Sequence, residues 1–85
     1  MARVDPLDEI TAWIRKNPER LGACAFEAAK AVMRDGLPYR ATFDRTVRAA
    51  VDAGRSEAEA LRWTFRGFAA AAAKHAEPPP ELEDC

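Results

Sequence analysis

Residues 54–80 read GRSEAEALRWTFRGFAAAAAKHAEPPP, and this stretch decides the fold. It spells a helix with both ends marked. Ser56 followed three residues later by Glu59 fits a capping box, in which the Ser hydroxyl accepts the N–H of residue 59 while the Glu side chain reaches back. Ala and Arg, both strong helix formers, dominate the residues after Ala58. Pro78-Pro79-Pro80 cannot continue a helix, so fraying is expected near Ala76. Leu61, Phe65, Phe68 and Ala72 recur at helical spacing and predict the buried face, and Trp63 then falls nearly opposite them.

Outward toward the N-terminus the same punctuation repeats. Asp5-Pro6 supplies a cap followed by proline at the first helical position, opening a helix with Leu7, Ile10 and Ile14 on one side and Trp13 bordering the core. Asn17-Pro18 repeats the signal. It ends the first helix near Lys16 and opens a second that runs to Asp35, with Gly36 as a left-handed C-terminal cap. This second helix carries two apolar stripes, Leu21-Ala25-Ala28-Val32 and Gly22-Phe26-Ala29-Met33, as a central element touching several neighbours does. After Leu37-Pro38-Tyr39, Thr42 is the expected cap of a third helix, with Phe43, Val47, Ala50 and Val51 inward and Arg45, Arg48 and Asp52 outward. Gly54 ends it. The expectation is an all-α fold, a compact bundle of four short helices over residues 1–76, followed by an acidic, proline-rich and disordered tail over 77–85.

Composition narrows the function classes. With 85 residues, 48 % hydrophobic and 32 % charged, the chain suits one globular domain and not a wholly disordered one. There are 19 Ala but only six Val and Ile together, too few for a sheet core. Thirteen basic residues against fourteen acidic ones give a net charge of −1, which excludes both a strongly basic nucleic-acid coater and an acidic DNA mimic. No apolar run reaches the ~18 residues of a membrane span, and the opening MARVDPLDEI places acids where a signal peptide needs apolar residues. No membrane partner and a cytoplasmic location are therefore expected. Cys24 sits among alanines as a small buried hydrophobe and Cys85 reads as a free thiol.

Catalytic chemistry has little to stand on. The one Ser is committed to a cap, and the one His, His75, lies in a last helical turn where the helix dipole favours a cation. Neither Cys has a base beside it, no metal-ligand spacing occurs, and the glycines are too scattered to cradle a phosphate. Asp8 and Glu9 are adjacent on a helix, so they point apart. The expectation is no enzyme, no catalytic residue, no metal and no cofactor.

The candidate surface is instead Arg62, Trp63 and Arg66, extended by Arg45, Arg48 and Arg55. Arg62 and Arg66 are a like-charge pair four residues apart, which makes sense around an acidic group, and Trp and Arg are enriched at binding hot spots. The structural alternative buries Trp63 in the bundle and pairs Arg62 with Glu59. The expected function is a small protein–protein interaction module, an inhibitor or adaptor, with another protein or protein complex as partner. A phage-encoded inhibitor of the anti-CRISPR type is one version, resting only on small size and missing chemistry. A second class is a helix-turn-helix DNA-binding regulator. Between Arg34 and Arg66 there are seven Arg against five acids, and a glycine turn joins two helices, although Glu57 and Glu59 stand where phosphates would approach. A third is a self-associating helical protein, in which a homodimer interface supplements a thin core.

Overall fold

The computed structural model of the chain describes residues 6–74 and Leu82. Helix α1 (Pro6–Lys16) leads through a 3-10 turn (Pro18–Arg20) into α2 (Leu21–Asp35), and α3 (Tyr39–Asp52) and α4 (Glu57–Ala72) follow. The fold is an all-α bundle of four helices with no strand among the described residues. None of the described helices is long and apolar enough to cross a membrane.

The punctuation acts largely as its chemistry dictates. Ser56 Oγ accepts the Glu59 N–H at 3.2 Å and donates to the Glu59 carboxylate at 3.1 Å, so the capping box closes through the hydroxyl. Gly36 takes φ +66° at the end of α2, a conformation that costs other residues a Cβ clash. Two expected caps act differently. The Asn17 side chain makes no N-terminal cap bond; its Nδ2 donates backward to the Trp13 carbonyl at 3.4 Å, closing α1 rather than opening α2. The next three residues form the 3-10 turn, and α2 proper begins at Leu21. Thr42 is not a cap either. Extended Pro38 supplies the carbonyl that accepts the Thr42 N–H at 3.0 Å, so α3 begins at Tyr39 and Thr42 is buried in its first turn.

Helix α2 is the central element, in contact with α1, α3 and α4. Phe26, Ala25 and Ala28 join Leu7 of α1 and Phe68 of α4 in one apolar cluster, while Leu21 and Cys24 join Ile14, Ala49, Ala50 and Ala60 in another. Half-buried Ile10 and Trp63 pack against both. Tyr39 and Phe43 meet the Phe68 ring edge-on, with centroids 5.4 and 5.2 Å away.

The α2–α4 contact is the most extensive in the molecule, and small residues make it. Ala60, Thr64, Gly67 and Ala71 of α4 are all buried. A Cβ on Gly67 would lie 2.6 Å from Ala25 Cβ and 2.7 Å from both the Gly22 carbonyl oxygen and the Phe26 amide nitrogen, so glycine alone permits this approach. The consequence is a rotation of α4 relative to the sequence expectation. Leu61 and Phe65 are not core: they are 45 % and 65 % exposed, and only Phe68 of that stripe is fully buried. Trp13 (42 % exposed), Met33 and Val51 likewise lie outside the core assigned to them: α1 buries Leu7, Thr11 and Ile14 instead, α2 buries Leu21 and Phe26 with its alanines, and α3 turns Thr42, Thr46, Ala49 and Ala50 inward.

The expected disorder of the tail, His75, Cys85 and the Asp5 cap lie outside the described residues, with one exception in the tail. Leu82 is 1 % exposed and belongs to the cluster around Phe26 and Phe68. It sits over Gly22, where an added Cβ would come within 2.9 Å of the Leu82 carbonyl oxygen.

Candidate partner-binding face on the last helix

The rotation of α4 decides what its outer surface offers. With Ala60, Thr64, Gly67 and Ala71 set against α2, the opposite side carries Ala58, Leu61, Phe65, Ala69 and Ala72, all exposed. At ~100° per residue these five span about 80° of arc, a continuous apolar stripe. Arg62 and Arg66 border it on one side. On the other, α3 and α4 enclose an open groove of about 500 Å³, lined by Val47, Val51 and Leu61 with Asp44, Arg48, Asp52 and Glu57 around them.

The six residues singled out in the sequence fall into three groups. Arg62 and Arg66 are exposed, and neither has a carboxylate within ion-pair distance among the described residues, so the pairing of Arg62 with Glu59 that the structural alternative called for is absent there. The Arg66 guanidinium lies over the Trp63 ring, 4.9 Å from its centroid. Trp63 itself is half-buried against both clusters and roofed by Arg66, as the structural alternative has it, and is not the outward-facing centre that helical spacing suggested. The position of Trp63 has the same cause as the misplaced Leu61 and Phe65: apart from Phe68, small residues and not large ones mark the inner face.

Arg48 is exposed at the groove. Arg45 lies on the same helix but binds Asp8 of α1 at 2.8 Å, and a second ion pair, Arg15 to Asp52 at 3.8 Å, ties the same two helices. Arg55 is taken up within the molecule. Its side chain is only 14 % exposed, with Nη1 donating to the Pro18 carbonyl at 3.1 Å and Nη2 to Glu59 at 3.3 Å. Arg55 thus fastens the α3–α4 turn to the 3-10 turn. The structure therefore gathers Arg62, Arg66 and Arg48 around the stripe and draws Arg55 and Trp63 inward. Leu61 and Phe65, the largest exposed side chains of the stripe, were assigned to the core in sequence. The signal that finds them is the Gly67 and Ala71 pair on the opposite side, small residues at helix-crossing spacing.

Elsewhere the surface is less organised. A groove of about 300 Å³ between α1 and α2 is lined by Ile10, Trp13, Glu9, Glu27 and Arg34. The Arg34 guanidinium is raised above its ordinary pKa by hydrogen bonds to the Asp35 carboxylate and by its charge. Among the described residues no group of three or more His, Cys, Asp or Glu is placed to hold a metal ion.

No protein-family model matches the chain, and no curated protein or solved structure matches it either.

Proposed function

We propose that the protein is a small non-enzymatic interaction module, an inhibitor or adaptor, that binds another protein through the outer face of α4 and the adjoining α3 groove. The observation behind this reading is the exposure of Phe65 and Leu61 within a stripe that continues through Ala58, Ala69 and Ala72. Leaving a Leu or Phe side chain in water forgoes ~1.5–3 kcal/mol of burial, a large loss for a chain this short. Contiguous apolar surface rimmed by polar groups marks interaction sites, and single scattered hydrophobes do not. The rim supplies chemistry to match. Arg62 and Arg66 present planar donor forks suited to carboxylates, with Arg48 across the groove. The cytoplasm is the setting this reading assumes.

Site-specific photo-crosslinking tests it. A crosslinking side chain at position 65 should give a discrete protein adduct in cells, while the same group at exposed Ala12 of α1 should not. Adducts of equal yield from both positions, or none from position 65, would remove the α4 face from consideration.

A further inference from the structure

We infer that the protein seated on α4 is a second copy of this chain, docked with its own α4 parallel to the first. This rests on the reading of the α4 face as a protein-binding surface and names the occupant.

The spacing on the stripe is that of a paired helix. Ala58, Phe65 and Ala72 recur every seven residues at the a positions of a heptad and Leu61 takes the first d; the second d, Phe68, is turned into the bundle, so contact at d is confined to the Leu61 end. Alanines one heptad either side of Phe65 leave room for a close approach, with the two Phe65 rings at its centre. Val47 and Val51 extend the apolar surface beyond Leu61 at the hairpin end.

Charge selects the occupant and its direction. Glu57 and Arg62 stand on opposite borders of the stripe, at g and e, five residues apart. In a parallel pair a residue at g meets the e position of the next heptad on the other helix. Glu57 of one copy then faces Arg62 of the other, and two-fold symmetry makes the contact twice. Both side chains are exposed, and neither has an ion pair within the described chain, whereas neighbouring Glu59 and Arg55 are bonded to each other. An antiparallel pair would set the two Arg62 borders against one another and leave Glu57 unanswered. One face carrying both signs in this order is complementary to itself.

Sedimentation of the full chain, with circular dichroism of every variant, tests the proposal. The wild-type protein should sediment at twice its 9.4 kDa mass. Phe65→Glu should be a folded monomer. Glu57→Arg and Arg62→Glu should each weaken self-association at least about tenfold by opposing like charges, and the double variant should return to within about threefold of wild type. A monomeric wild type at every concentration, a dimer indifferent to Phe65→Glu, or single reversals without effect would each overturn it. A monomer whose position 65 still crosslinks to a different protein overturns the second copy while the interaction reading stands; a monomer with no such adduct overturns both.

Discussion

Four threonines on three helices are buried, Thr11, Thr42, Thr46 and Thr64, and they differ in one bond. Thr11 Oγ1 donates to the Leu7 carbonyl and Thr46 Oγ1 to the Thr42 carbonyl, each at 2.8 Å, whereas the Thr42 and Thr64 hydroxyls have no hydrogen-bond partner among the described residues. A buried hydroxyl without an acceptor carries its desolvation cost uncompensated. Thr46→Val should therefore cost about 1 kcal/mol in urea unfolding, while Thr64→Val should be neutral or stabilising by up to about 1 kcal/mol. Equal losses at the two sites would show that Thr64 makes a hydrogen bond. Gly67 is the other residue whose effect is not additive with its propensity. Alanine in place of glycine gains ~1 kcal/mol in an ordinary helix interior. Here the atoms an added methyl meets include backbone of α2, which cannot swing aside, so Gly67→Ala should be destabilising by a net ~1–3 kcal/mol. A raised melting temperature would show that α2 and α4 separate freely.

At the scale of the element, α4 separates packing from exposure within sixteen residues. Phe68→Ala should cost ~3–5 kcal/mol, since the ring is buried beneath Tyr39 and Phe43. Phe65→Ala and Leu61→Ala should each change the stability of the monomer by under ~1 kcal/mol. The reverse order would mean that α4 packs on the face the sequence first indicated. That face was misread for a physical reason. Helix existence followed from local chemistry, in Ser56 with Glu59 and in Gly36, and these devices act within a few residues of themselves. The rotation of α4 was set by a tertiary contact, where Gly67 meets Gly22 and Ala25, and a stripe of large apolar residues says nothing about how close two backbones come. The candidate site inherited the error. Arg62 and Arg66 were legible as exposed cations, while Trp63 and Phe65 exchanged places between core and surface. Arg55 was legible as part of a turn, but its bond to the Pro18 carbonyl spans 37 residues and has no local signature.

Across the whole molecule, Leu82 ties the end of the chain to α2. Its side chain fills space between Gly22 and the Phe26–Phe68 cluster, so Leu82→Ala should destabilise by ~2–4 kcal/mol in thermal unfolding, as buried Leu-to-Ala changes do. An unchanged melting temperature would show that the contact contributes nothing in solution. The ion pairs between α1 and α3 should matter far less. They are exposed, and Arg45→Ala should cost under ~1 kcal/mol, a loss that shrinks further in high salt.

The burial of Cys24 gives the bundle a built-in clock. Its thiol is shut behind α2's own packing, against Ile14, Leu21 and Ala60, and a thiol-specific reagent reaches it only when neighbouring helices part. In a Cys85→Ser background it is the sole thiol of the chain. The labelling rate then reads the opening equilibrium directly, each tenfold retardation against an unfolded reference marking ~1.4 kcal/mol of opening free energy. Breathing of the core thus becomes a colour change measured over time, under native conditions and without denaturant.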